Sequence, residues 1–193
     1  MRASSLLPGT LDELATAFPT IELRNDSTGV LTLTRRIFIS ASYTDQMQAK
    51  GFALLQWNRN VDFEFVGRHL LDPVNSTNED YIKSKIREQL NGTSVTVVLI
   101  GDDTDRSGWV AWEVEESLSK SKPNGVLGIL LPGHDAPPDP DSPVGKAIEA
   151  AGGEVIPWKP HMFGEAVERT AAAAGRIQAI RNQPAGGASC ART

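Results

Sequence analysis

The stretch Ser94–Gly101, SVTVVLIG, is the most apolar run of the chain and decides the fold. It is short, rich in β-branched residues, and apolar at successive rather than alternate positions. That pattern is typical of a strand covered on both faces, as at the centre of a parallel sheet. A helical pattern follows at about 107–120, so the middle of the chain predicts a strand–loop–helix unit.

The same alternation continues on both sides of this unit. Further strands are predicted at 35–40, 63–68, 125–133 and 154–158. Further helices are predicted at 45–60, 79–90, 143–151 and 162–183. Five strands alternating with helices indicate an α/β three-layer sandwich of the flavodoxin-like class, with a five-stranded parallel sheet of order 2-1-3-4-5. In such a sheet a ligand binds beyond the carboxyl ends of the strands, between the first and third strand.

The chain outside this alternation predicts two smaller segments. Thr10 and Glu13 form a capping-box pattern, which predicts a short helix at about 10–18. Residues 19–34 then resemble an irregular or weakly extended connector. We therefore divide the chain into an N-terminal helix and connector at 1–34, one domain at 35–183 and a disordered tail at 184–193.

Composition argues against several classes of protein. The net charge of −5 disfavours nucleic acid or an anionic membrane as a partner held by bulk electrostatics. No apolar run approaches the roughly 18–20 residues that span a bilayer, and the N-terminus lacks the apolar core of a signal peptide. The single cysteine, Cys190, and three scattered histidines offer no metal-ligand spacing. We expect a cytoplasmic protein with no metal site and no nucleic-acid or membrane partner.

The helix after the central strand carries three glutamates behind two tryptophans. At about 3.6 residues per turn, Glu116 falls nearly opposite the apolar stripe and is expected to be solvated, whereas Glu113 and Glu115 flank that stripe. Periodicity does not choose between these two. Glu113 lies nearer the carboxyl edge of the sheet and four residues after Trp109, which suits a ligand site. The structural alternative is that Trp109 fills a gap against the sheet and Glu113 is a solvated acid favoured by the helix dipole.

Three stretches together resemble the TIR-like domain family, and within it the ThsB-type branch of the Thoeris anti-phage defence system. These stretches are FISASYTD (38–45), SVTVVLIGDDTD (94–105) and WVAWEVEESL (109–118). TIR domains typically open with a FISYS-like strand followed by an acidic residue, here Asp45. Later they carry a tryptophan followed four residues on by a glutamate, here Trp109 and Glu113. The resemblance covers roughly 35–158.

This resemblance implies an enzyme, an NAD+ glycohydrolase or ADP-ribosyl cyclase, with Glu113 as its catalytic residue. NAD+ is then the substrate, and no separate cofactor or metal is expected. The product would be an ADP-ribose derivative, often cyclic, that acts as a second messenger and activates a separate effector protein in bacterial anti-phage immunity. Members of the family commonly self-associate to complete the active site, so a homo-oligomer is also implied.

The remaining predicted substrate-binding residues lie around the carboxyl edge: Ser40, Ser42, Tyr43, Asp45, Asp72 and Trp109. The two serines suit hydrogen bonds to ribose or phosphate, and the two aromatic residues suit stacking on nicotinamide or adenine. Each aspartate also has a structural interpretation: Asp45 as a helix cap and Asp72 as a turn residue.

Three other functions fit parts of the pattern. A catalytically silent TIR-like adaptor, working through protein contacts alone, fits all of it. A phosphoacceptor receiver domain has the same fold, with Asp102 or Asp103 after the third strand and Lys159 after the fifth. It would need an acidic pair after the first strand to bind Mg²⁺, where this chain has Ser-Ala-Ser. An FMN-binding flavodoxin would need a better phosphate cradle than the SASYTD loop provides.

Overall fold

The computed structural model describes residues 21–25, 31–55, 65–68 and 78–181, with side chains at 35–55 and 78–176. The predicted helix at 10–18, the loop residue Asp72 and the predicted tail at 184–193 lie outside these ranges. Where the predicted irregular or weakly extended connector at 19–34 is described, its residues are regularly extended. Residues 21–25 form a strand, and residues 31–34 open another.

Strands and helices alternate through the described part of the chain. The strands are β1 (Ile21–Asn25), β2 (Leu31–Ala41), β3 (Phe65–Arg68), β4 (Val95–Ile100), β5 (Gly125–Leu130) and β6 (Glu154–Ile156). The α-helices are α1 (Gln46–Leu54), α2 (Glu79–Leu90), α3 (Gly108–Leu118), α4 (Pro143–Ala150) and α5 (Pro160–Arg181). Two 3₁₀ turns, Tyr43–Asp45 and Thr104–Arg106, follow β2 and β4.

The six strands form one sheet built around β2. Parallel pairs join β3 to β2, β2 to β4, β4 to β5 and β5 to β6, which confirms a parallel α/β sheet. The predicted five-stranded sheet of order 2-1-3-4-5 does not describe the whole sheet, because β1 adds a sixth, antiparallel strand. The reason is the length of β2, which pairs with β4 only from Ile37 and leaves Leu31–Arg35 to pair with β1.

Side-chain caps fix where three helices begin. Ser107 accepts a hydrogen bond from the Val110 amide at the start of α3. Ser142 does the same for Gly145 at the start of α4, where Pro143 occupies the first turn. The cap of α2 is Asn78, which accepts from the Tyr81 amide.

Helices cover both faces of the sheet, because side chains alternate between the faces along each strand. Ile37 and Ile39 of β2 are buried in a cluster with residues of α1 and α5. Phe38, between them, is buried on the other face with residues of α2. Val98 of β4 packs on that second face with residues of α3 and α4. The domain therefore has three layers, and the residues of β2 at positions 38 and 40 share the face that α2 and α3 cover.

No α-helix described here is both long enough and apolar enough to cross a membrane.

Candidate functional site

Glu113 lies on α3 where that helix crosses β2. The Ser40 hydroxyl, one residue before the end of β2, donates a hydrogen bond to the Glu113 carboxylate. Ser40 is only 1% exposed, whereas Glu113 keeps a partly exposed surface. The hydrogen bond therefore joins an interior strand position to the side chain of a residue that is only partly buried.

Burial changes the acidity of this carboxylate. It raises the pKa of the Glu113 carboxyl from its usual 4.5 to about 7, and the hydrogen bond from Ser40 opposes part of that rise. The cause is that the charged form loses hydration between α3 and the sheet and receives little in return. A carboxyl group with such a pKa is present in both protonation states at neutral pH, which is a property of many functional carboxyls.

The packing of α3 gives its three glutamates different surroundings. Glu113 turns towards β2, whereas Glu115, the other flanking candidate, is exposed. The expectation that Glu116 is simply solvated is wrong. Its carboxylate accepts two hydrogen bonds from Arg87 of α2, at 2.8 and 3.2 Å, because α2 runs alongside α3.

A second group of polar side chains lies at the carboxyl edge and joins two loops. Ser42 donates to the Asp45 carboxylate at 2.6 Å, and both residues are buried. Thr104, after β4, accepts from the Gly101 amide at 2.8 Å and lies 3.5 Å from the same carboxylate. A side chain at Gly101 would collide with Asp45, at 2.5 Å for a Cβ, so glycine is required for this approach. Asp45 stands at the N-cap position of α1, but its side chain makes no capping bond.

The aromatic residues of α3 have different surroundings. Trp109 is 42% exposed, and its ring meets Trp112 edge-on with centroids 5.8 Å apart. Trp112, for which the sequence suggests no role, packs against the buried cluster of Phe38 and α2. Lys83 of α2 lies over both indoles, at 5.9 Å from the Trp109 centroid and 5.3 Å from that of Trp112.

The predicted substrate-binding residues therefore fall into four groups. Ser40 contacts Glu113, and Ser42 contacts Asp45. Tyr43 is 84% exposed and Trp109 is partly exposed, so both rings are available to a ligand. Asp72 lies outside the described residues. Thr104 and Gly101, which sequence patterns did not single out, hold the loop after β4 against Asp45, and no periodic signal marks them.

Glu113 is not paired with a second carboxylate, because Asp45, the other buried carboxylate of the carboxyl edge, bonds to Ser42 instead. No other carboxylate lies in hydrogen-bond contact with Glu113 among the described residues. Within the same ranges, no group of three or more His, Cys, Asp and Glu side chains could hold a metal ion. A single carboxyl with a near-neutral pKa can accept hydrogen bonds from ligand hydroxyls and stabilise positive charge.

The fold and the site together define an α/β domain with a carboxylate beside the carboxyl end of β2, the edge at which parallel sheets of this class bind ligands. Over residues 38–136, slightly more than half of its length, the chain matches the family described as the Thoeris protein ThsB, TIR-like domain. The chain belongs to this family. The matched range includes both Ser40 and Glu113.

One curated relative of known organism is similar to the chain. It is the protein of Bacillus cereus (strain MSX-D12) named "Putative cyclic ADP-D-ribose synthase ThsB1". The two are 30% identical over 103 residues, which make up 51% of this chain and 53% of the relative. The match therefore spans about half the length of each protein.

Proposed function

We propose that the chain is an NAD+-consuming enzyme of the glycohydrolase or cyclase type, with Glu113 as its catalytic residue. The observation that carries the proposal is the carboxylate of Glu113, held by Ser40 at the carboxyl side of the sheet with a pKa of about 7. Membership of the ThsB TIR-like family and the name of the Bacillus relative support the same kind of activity.

The chemistry of NAD+ suits a single carboxylate. Nicotinamide leaves from a pyridinium as a neutral molecule, so no general acid is needed to protonate the leaving group. Ordinary glycosidic bonds differ, because their cleavage uses a pair of carboxyl groups, one of them an acid. The transition state instead needs its oxocarbenium-like ribose stabilised and its hydroxyls fixed in orientation. An ionised Glu113 opposes the developing positive charge and accepts hydrogen bonds from those hydroxyls.

Other side chains around the carboxyl edge suit the binding of the substrate. Trp109 offers an exposed indole one turn before Glu113 on α3, suited to stacking on one of the two bases of NAD+. Tyr43 offers a second exposed ring in the turn after β2. The buried contact of Ser42 with Asp45 holds that turn in place rather than binding the substrate.

The nucleophile is water for hydrolysis, or a group of the same substrate for cyclisation. The nucleophile determines the product, and a site that excludes water favours cyclisation. We propose that the product is a cyclic ADP-ribose-type messenger, read by a separate effector protein in anti-phage defence. This choice rests on the family and on the name of the relative.

Product analysis with one matched pair of variants tests the proposal. Purified wild type, Glu113→Gln and Glu115→Gln are incubated with NAD+, with and without lysate of phage-infected cells, and products are identified by chromatography and mass spectrometry. Glu115 is the control because it is exposed and lies on the same helix. We expect nicotinamide and an ADP-ribose-derived product from wild type and Glu115→Gln. We expect Glu113→Gln to be slower by at least about 100-fold, the usual effect of losing a group that stabilises charge in the transition state.

Two results would contradict the proposal. Equal conversion by Glu113→Gln and wild type would remove Glu113 from the chemistry. Absence of conversion by wild type, even with infected lysate, would instead favour an adaptor that works through protein contacts alone.

A further inference from the structure

We infer that Ser40 is a positioning residue, whose hydroxyl holds the Glu113 carboxylate against β2 and does not contact the substrate. Within the described part of the chain, Ser40 is the one hydrogen-bond donor to that carboxylate. The catalytic consequence of this contact rests on the proposed function, whereas the contact and its effect on ionisation do not.

The position of Ser40 makes it an unsuitable ligand contact. It is 1% exposed and pairs with Val98 of β4 inside the sheet. Its side chain shares a face with Phe38, under α2 and α3, so both its backbone and its side chain are enclosed. Glu113, by contrast, keeps an exposed part of its surface. The Ser40 hydroxyl is therefore covered, and of the two residues Glu113 is the one with appreciable exposed surface to offer a substrate.

The rigidity of β2 explains why Ser40 is suited to orient the Glu113 carboxylate. β2 has parallel partners at Ser40 and at the residues before it, so the hydroxyl is carried by a backbone that cannot shift without breaking the sheet. Glutamate has three rotatable side-chain bonds, and a hydrogen bond from a fixed donor selects one of its orientations. The hydroxyl also stabilises the charged form against desolvation, which is why its contact lowers the pKa of the Glu113 carboxyl.

The test is a titration of the Glu113 carboxyl in the purified full chain, without substrate. Glutamate side chains are labelled with ¹³C, and the Glu113 signal is assigned by its loss in Glu113→Gln. We expect Ser40→Ala to raise the midpoint by about one to two pH units, the effect of removing one hydrogen bond to a charged group. Ser40→Thr keeps the hydroxyl and is expected to keep the midpoint close to that of wild type.

Ser117→Ala is the matched control. Ser117 is fully buried on the same helix, but its hydroxyl bonds to the Val114 carbonyl at 2.8 Å rather than to Glu113. We expect this variant to leave the midpoint unchanged. If Ser40→Ala does not fold, Ser40→Cys replaces it, because a thiol is a weaker donor and should raise the midpoint in the same direction.

Kinetics with NAD+ separate positioning from binding. For Ser40→Ala we expect kcat at pH 7 to fall while KM stays within about twofold, with the lost rate partly recovered as the pH is raised. An unchanged midpoint in Ser40→Ala or its cysteine replacement would overturn the inference. A raised KM with unchanged kcat would overturn it too, because it would make Ser40 a substrate contact. If wild type converts no NAD+, the proposed function fails, and the titration still decides whether Ser40 controls Glu113.

Discussion

The two ends of the parallel sheet each hold one ionisable side chain with a pKa moved towards neutrality by burial, but they differ in hydrogen bonding. At the carboxyl end, Glu113 has a single hydroxyl donor and a pKa raised to about 7. At the amino end, Lys120 has a pKa lowered to about 8 and several acceptors. Burial thus moves both pKa values towards neutrality, but Lys120 has several hydrogen-bond partners and Glu113 has one.

The cluster at the amino end is satisfied throughout. The Lys120 ammonium donates to the Thr93 carbonyl at 2.8 Å and to the Asn124 carboxamide oxygen at 2.6 Å. Asn124 in turn donates to the hydroxyls of Thr93 and Thr96, at 2.8 and 3.0 Å. Asn124 and both threonines are at most 2% exposed. These bonds connect the starts of β4 and β5 to the end of α3.

The contrast in hydrogen bonding is the one expected between a structural polar cluster and a proposed functional carboxylate. A buried cluster whose members all have partners stabilises and orients the elements around it. A buried carboxylate with one partner carries a free-energy cost, and such costs persist where a side chain is needed for chemistry. The Lys120 cluster at the amino end is therefore structural, and Glu113 at the carboxyl end is the residue that we propose for function.

The largest expected effect is on the pH dependence of stability at the carboxyl end. The folded state favours the protonated form of Glu113, so its contribution is fully present below pH 4.5 and is lost as the pH rises through about 7. Relative to Glu113→Gln, the unfolding free energy of wild type should fall by roughly 3 kcal/mol over this window. Urea unfolding of both proteins at pH 4.5 and pH 8 measures this difference. The same change in unfolding free energy between the two pH values in both proteins would contradict the prediction.

Asn124→Ala should produce the next largest effect, at the amino end. The substitution leaves Lys120 without one acceptor and the buried Thr96 hydroxyl without a donor, and the Thr93 hydroxyl keeps only the longer contact from Lys120 at 3.4 Å. We expect a loss of about 2 kcal/mol of unfolding free energy, with the rate per folded molecule unchanged. Asn91→Ala is the control, because Asn91 is exposed at the end of α2 and should change stability by less than about 0.5 kcal/mol. Loss of NAD+ conversion in folded Asn124→Ala would contradict the claim that the cluster at the amino end is structural and takes no part in the reaction.

A smaller effect, of opposite sign to that of Glu113, is expected from the ionisation of Lys120. Its pKa is lowered in the folded state, so its contribution is present above pH 10.5 and is lost as the pH falls through about 8. Partial exposure of the ammonium reduces the size of the effect. The unfolding free energy of wild type, relative to Lys120→Met, should rise between pH 8 and pH 10.5. A fall over that interval would contradict the account of the amino end.

Much of the fold follows from the sequence alone. The helix predicted at 79–90 is found at Glu79–Leu90, and the strand predicted at 94–101 is found at Val95–Ile100. Both have strong local patterns, a helical stripe and an unbroken apolar run. β1 has no such pattern: its sequence, IELRN, is mixed in polarity and becomes a strand only because the first half of β2 pairs with it.

The site was only partly predictable for a related reason. Periodicity placed Glu113 and Glu115 on the two flanks of α3 and could not say which flank meets β2. The contact of Glu113 with Ser40 joins residues 73 positions apart and depends on how the helix packs on the sheet. The same packing brought Arg87 to Glu116, a residue that periodicity had assigned to solvent.

The most direct test of the central claim measures rate and stability on the same preparation of Glu113→Gln at pH 8. Gln keeps the shape of the side chain and removes the buried charge, so stability and function should move in opposite directions. We predict an unfolding free energy at least equal to that of wild type, together with a rate of NAD+ conversion lower by at least about 100-fold. A variant that is less stable than wild type, or that converts NAD+ at the wild-type rate, would contradict the account.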